Sequence, residues 1–145
     1  MEMPNEIVVK VGIQQGQVYN FAPKDGVPNH YFVVLNKDPK NGDVIHLAPF
    51  TTKKANVLKF IKFLKLDAQT FVELLIGECP FLARPADSGI DCNRLISPTL
   101  DELVQLIDLS DGSVKYPTIE ASLLVRVIAG VKVSRLVSQA IKDTL

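Results

Sequence analysis

The pattern of apolar and polar positions changes period once along this 145-residue chain, near residue 97. Before that point, short apolar runs are separated by clusters of turn residues; beyond it, apolar positions recur every three or four residues. "IVVKVG" (7–12) alternates loosely and predicts a strand, as does "GQVYNFA" (16–22), which carries Val18, Tyr19 and Phe21. "HYFVVLN" (30–36) is a continuous apolar run, the pattern of a strand buried on both faces. "NKDPKNGD" (36–43) collects turn residues, with Asn41-Gly42 as a hairpin signal, and "VIHLAPF" (44–50) follows as the return strand. "FVELLIGE" (71–78) and "SGIDCNRLI" (88–96) are two further strand candidates, the first also readable as a helix end. The proline-bearing connection "CPFLARPADSG" (79–89) lies between them.

The helical part opens with Ser97 as a hydroxyl cap and Pro98 at the first helical position. Asp101 and Glu102 fall in the first turn, where the helix dipole favours negative charge, and Leu100, Leu103, Val104 and Ile107 form an apolar face. "SDGS" (110–113) ends this helix. "TIEASLLVRVIAGV" (118–131) predicts a second, with Thr118 as cap and Gly130 as stop, and "KVSRLVSQAIKDTL" (132–145) a short third, capped by Ser134. One more helix is inserted among the strands at 54–65. At about 100° per residue, Val57, Phe60, Ile61, Phe63 and Leu64 project to one side and Lys54, Lys59, Lys62 and Lys65 to the other. Leu58 falls among the lysines and fits neither face. With no acidic residue from 54 to 66, the lysine side is either a solvated surface or a strip beside a phosphate-bearing ligand. The fold class read from these elements is α+β: a small, curved antiparallel sheet or barrel, one inserted helix, and helices segregated at the C-terminus.

Composition narrows this little. A 47% hydrophobic, 22% charged chain of this length suits one globular domain, 1–145. Sixteen basic residues balance sixteen acidic ones, so attraction to nucleic acid has to come from local clustering. No apolar run is long enough to span a bilayer and "MEMPNEIVVK" lacks a signal-peptide profile, so a cytoplasmic protein without a membrane partner is expected. Cys79 and Cys92 then read as buried free thiols. Two histidines and two scattered cysteines offer no zinc spacing, and neither a Gly-rich phosphate loop nor a nucleophile elbow is present.

The order "GQVYNF", "HYFVVLN", "APFTTKK", "SGIDCNRL" resembles the PemK/MazF-like toxins of toxin–antitoxin systems, over roughly residues 16–97. The lysine helix and the helical extension 98–145 are similar to longer, divergent members. The resemblance implies an SH3-like antiparallel β-barrel over 16–97 and a homodimer. It also implies a protein antitoxin as partner, and cleavage of single-stranded RNA without a metal or other cofactor. Thr51 and Thr52 match the hydroxyl pair that lines the family's RNA groove at the end of the return strand. His30 stands where a loop arginine is usual, and Asp91-Cys92-Asn93 where a basic residue, a cysteine and an acid are usual. Both habitual arginines are thus replaced, with Arg84, Arg94 and the lysines nearby in sequence.

Cleavage of RNA by its own 2′-hydroxyl needs a base for that proton, an acid for the leaving 5′-oxygen and donors for the charged phosphorane. Imidazole titrates near neutrality, which makes His30, at the mouth of a buried strand, the acid–base candidate; the alternative is an exposed loop histidine. His46 alternates with apolar neighbours and reads as packed. Thr51, Thr52 and Lys53 complete the candidate catalytic set, the threonines also suiting strand and helix-cap duty. Lys53 stands near a helix start, where the dipole disfavours a cation, so some other benefit is implied. Lys54, Ser88, Asp91 and Arg94 are candidates for RNA binding, Ser88 and Asp91 being equally readable as turn and strand-edge residues. Without catalysis the same barrel would be a binding module for a protein or nucleic acid.

Overall fold

The computed structural model describes residues 4–110 and 118–145. Along the chain run α1 (Asn5–Gly12), β1 (Val18–Phe21), β2 (His30–Val34), β3 (Leu47–Thr51), α2 (Lys54–Leu64), β4 (Phe71–Glu73), β5 (Gly89–Asp91), α3 (Leu100–Leu109), α4 (Ala121–Val133) and α5 (Gln139–Lys142). The five strands form one antiparallel sheet in the order β1-β2-β3-β5-β4. The α+β class is therefore observed, but β1 and β4 are edges that do not pair with each other, so the sheet is not a closed barrel.

Strand alternation explains how this sheet is covered on both sides. Val18, Val33, Ala48, Phe50 and Ile90 face Leu123, Val127 and Val131 of α4. Tyr19, Phe21, Phe32, Val34 and Leu47 face the other way, toward Val9 and Ile13 at α1 and Leu103, Val104 and Ile107 of α3. Thus β2, with Phe32, Val33 and Val34 all buried, is the doubly covered strand its unbroken apolar run predicts. A third, smaller cluster joins Val57 and Ile61 of α2 to Phe71 of β4.

Segment 7–12 is not a strand; it lies in α1. Val9 and Ile13, four apart, bury completely or nearly so against α3, and this packing overrides the strand preference of β-branched residues. Lys10 bridges Glu6 and Asp101, and Asn5 donates to Asp108, so the two helices run antiparallel. The texture before residue 97 is consequently mixed rather than wholly strand.

Three helix boundaries also differ from the predicted ones. Ser97 is not the cap of α3: the chain is still extended there, with Ile45 N–H donating to the Pro98 carbonyl and Ile96 paired to Leu47. Thr99, with Glu102 three residues on, forms the capping box instead. Ser110 is the C-cap, and the rest of "SDGS" lies outside the described residues. Thr118 does not cap α4 but bridges to Gln17, and the helix starts after Glu120. Ser134 does not cap α5; its hydroxyl donates to the Asn93 side chain at 2.6 Å, and Ser138 is the cap.

Gly130 does not stop α4 either. It lies inside the helix, where the backbone of residue 69 comes so close that a Cβ would sit 2.5 Å from the Gln69 carbonyl oxygen. Within α2, Val57 and Ile61 are buried as expected, but Phe63 is 84% exposed. Six positions at about 100° put it roughly 120° away from Val57. The helix ends on Lys65 in the left-handed region, with Leu66 N–H returning to Ile61 O, and Arg135 donates to the Leu64 carbonyl.

The loop after β4 is fastened to α4 by charge. The Arg126 guanidinium donates to both carboxylate oxygens of Glu78 at 2.6 Å and to the Glu73 carbonyl, while Leu75 N–H donates to Glu78. Burial alone would raise the Glu78 pKa; these donors more than reverse that and hold it below the ordinary value.

Two outcomes follow from this packing. Gly130→Ala, forcing a methyl group against backbone, should lower unfolding free energy by about 1–3 kcal/mol in urea titrations. Glu78 is lowered on folding, so its contribution is present above the unfolded pKa and lost as pH falls through the folded one. Glu78→Gln should therefore cost about 1–3 kcal/mol at neutral pH and flatten the acid side of the stability–pH curve; an unchanged acid limb would contradict this.

Candidate functional site

Antiparallel register builds one end of the site. Phe32 is opposite Pro49, so His30, two residues earlier in β2, and Thr51, two later in β3, come to the same end of the strand pair. His30 is half-buried, and its Nδ1 lies 2.8 Å from the Pro28 carbonyl oxygen. A carbonyl only accepts, so Nδ1 carries the proton and Nε2 is left to accept or release one.

Where β3 gives way to α2, Thr51 Oγ1 accepts the Lys53 N–H at 3.0 Å, closing the turn while keeping its own hydroxyl proton to donate. Thr52 and Lys53 are exposed, and Lys53 forms no ion pair among the described residues. One residue on, Lys54 instead pairs with Glu73 of β4 at 2.5 Å. Lys53 is the non-helical cap residue and Lys54 the first residue of α2, and this change of backbone separates the neighbours into different roles.

β5 supplies the opposite side. Gly89 admits the Phe71 ring, which a Cβ there would overlap. Alternation then sends Ile90 and Cys92 toward α4 and Asp91 to the other face. Asp91 is 3% exposed; its Oδ1 accepts the Asn93 N–H at 3.0 Å and its Oδ2 lies 3.7 Å from Arg94 Nε. Burial raises its pKa, and the Asn93 N–H and Arg94 only partly oppose this. The exposed Arg94 guanidinium lies 4.6 Å over the Phe60 ring, so α2 holds it. Ser88 is buried, and its hydroxyl donates to the Arg84 carbonyl at 2.6 Å.

These parts meet around a cavity of about 620 Å³. His30, Thr51, Thr52, Lys53, Ser88, Asp91 and Arg94 all line it, so seven of the eight candidate residues, drawn from three separate stretches of sequence, come together. Lys54 does not: it lines an adjoining groove. Sequence reasoning missed Tyr31 and Phe50, which give the cavity an aromatic wall with rings 6.3 Å apart, and Asn56, which lies one turn into α2. Their apolar or neutral character in ordinary elements gave no signal. Arg84 also lines the cavity, bringing a second guanidinium beside Arg94.

The remaining candidates are structural. His46 is buried and bonds through Nδ1 to Ser97 at 2.7 Å, and burial lowers its pKa. Both cysteines are free and buried, the thiols pushed up by burial to about 11 for Cys79 and about 12 for Cys92. Such thiols are poor nucleophiles at neutral pH. No group of three or more His, Cys, Asp or Glu side chains suited to a metal occurs among the described residues, and no described helix is long and apolar enough to cross a membrane. No family model and no curated protein matches the chain.

Asp91 makes an unusual prediction about stability. Its folded pKa is raised, so the cost of holding it ionised is present above that value and vanishes as pH falls below the unfolded one. Asp91→Asn keeps the acceptor for Asn93 N–H and removes the desolvated charge. Its melting temperature at neutral pH should equal or exceed that of the wild type, the gap closing on acidification; a lower midpoint at neutral pH would count against this.

Proposed function

We propose that this chain is an endoribonuclease that cleaves single-stranded RNA without a metal, as a toxin of the PemK/MazF-like kind. The carrying observation is that His30 and the buried Asp91 carboxylate open into one cavity edged by Thr51, Lys53, Arg84 and Arg94. Two proton-handling groups in different environments, beside hydroxyl and cationic donors, are what the transesterification requires. Arg84 and Arg94 supply, from other places in the chain, the guanidinium charge that the usual family positions lack. The SH3-like reading of residues 16–97 draws its support from the five-stranded antiparallel sheet alone.

Asp91, raised in pKa and so a stronger base than an ordinary carboxylate, takes the proton of the 2′-hydroxyl. The 2′-oxygen bonds to phosphorus as the bond to the 5′-oxygen breaks. His30, with Nδ1–H fixed on Pro28, gives the Nε2 proton of its imidazolium form to that leaving oxygen. Lys53, Arg84, Arg94 and the Thr51 hydroxyl stabilise the charged phosphorane. The products carry a 2′,3′-cyclic phosphate and a 5′-hydroxyl.

A cytoplasmic homodimer held inactive by a protein antitoxin belongs to the same proposal. Exposed apolar side chains at Leu75, Ile76 and Val125 support a protein partner. Co-expression with a small neighbouring protein should then give a stable complex.

The deciding assay incubates purified protein with long unstructured RNA in the presence of a chelator. Cleavage should persist, and His30→Ala should slow it by about 10²–10⁴-fold while the protein stays folded. Lys53→Ala should weaken RNA binding and flatten its salt dependence, since one phosphate contact is gone. RNA bound but left intact by the wild type would favour the non-catalytic binding module instead.

A further inference from the structure

A second groove of about 470 Å³ adjoins the cavity. Thr52, Lys53, Asn56 and Arg84 line both, so the two are separated by no more than those side chains. Beyond that boundary the second groove is edged by Lys54 and Leu58 of α2 and by Asp87. Leu58, the one apolar position among the lysines, is 41% exposed and stays outside the three buried clusters. It therefore contributes little to the core, and its position in this groove is the feature that calls for a ligand.

The charges along the shared boundary are available. Lys53 forms no ion pair among the described residues, and Arg84 reaches Asp87 only at 4.0 Å, with both side chains well exposed. Such a pair holds its partners weakly, and a backbone phosphate, with one negative charge shared by two free oxygens, can compete with Asp87 for Arg84. Asn56 presents an amide able to donate to and accept from a base edge.

Resting on the RNA reading of the first cavity, we propose that the second groove is an adjacent nucleotide subsite. The phosphate next to the reacting one lies at this boundary, where Lys53 and Arg84 are shared between it and the phosphorane, and the following base lies against Leu58 with its edge at Asn56. The substrate is then a strand that occupies both grooves, and a single nucleotide fills only half of the site. The misplaced leucine then has an explanation: the start of α2 carries the strand away from the cleavage point.

The test measures binding of fully 2′-O-methylated oligonucleotides, which have no 2′-hydroxyl to attack, from a dinucleotide to an octanucleotide. Wild-type affinity should step up by roughly ten-fold once the strand is long enough to reach the second groove, as one more phosphate contact and an apolar base contact are gained. Leu58→Glu, at an exposed helical position, should remove that step, and Leu58→Phe should keep it. If the oligonucleotides bind but affinity has no step, or the step survives Leu58→Glu, the subsite is overturned and the RNA reading stands. If none binds the wild type at any length, both fall together.

Discussion

Everything in the site depends on a three-residue strand. β5 pairs with β3 on one side and β4 on the other, and each of its residues has an unrelated duty. Gly89 makes room for the Phe71 ring, Ile90 enters the core under α4, and Asp91 turns to the cavity. Asn93, just beyond, donates to Thr70 and accepts from Ser134, tying the same stretch to the far end of α4. Because strand alternation fixes which side each residue faces, a one-residue slip would bury Asp91 against α4 and expose Ile90. The ladder, the glycine contact and the Asn93 network all oppose that slip.

Much of this was legible in the sequence for a physical reason. Period-two patterns report the faces of a strand directly, so β1, β2 and β3 and the positions at their ends could be read from local residues. His30, Thr51 and Ser88 lie at such ends, but what grouped them was the resemblance to the PemK/MazF-like family, which periodicity alone does not supply. α1 was not legible: Ile7, Val8, Val9 and Val11 favour a strand locally, and what makes them helical is α3, about ninety positions away. The caps failed for a related reason. Ser97 and Ser134 have the right chemistry to cap a helix, but the chain is still extended at Ser97, and Ser134 ends α4 instead of starting α5. A cap needs the backbone to enter the helix at that residue, and distant pairing and packing decide where that happens.

The cationic residues show the same limit at finer scale. Lys53 and Lys54 are indistinguishable as letters, and the switch from cap to helix between them sends one to the cavity and the other to Glu73. Arg84 and Arg94 lie where no strand or helix pattern assigns a direction, and only the folded loop and the Phe60 ring aim them. Local charge counting could locate a basic region but not decide which ammonium or guanidinium remains free to meet a ligand.

The two buried carboxylates among the described residues separate structure from chemistry. Glu78 is 8% exposed and is given a bidentate guanidinium and a backbone N–H, so its charge is fully answered and its pKa falls. Asp91 is 3% exposed and is given one backbone N–H and a guanidinium at 3.7 Å, so its charge is left short of partners and its pKa rises. A fold that could satisfy one carboxylate so thoroughly had the means to satisfy the other, and Arg94 is already within reach. Held instead over Phe60, Arg94 stays partly free for an incoming anion, and Asp91 keeps an affinity for protons above that of an ordinary carboxylate. An under-partnered acid at the wall of a cavity is costly to folding and available for proton transfer, which is why the proposed chemistry is centred on β5.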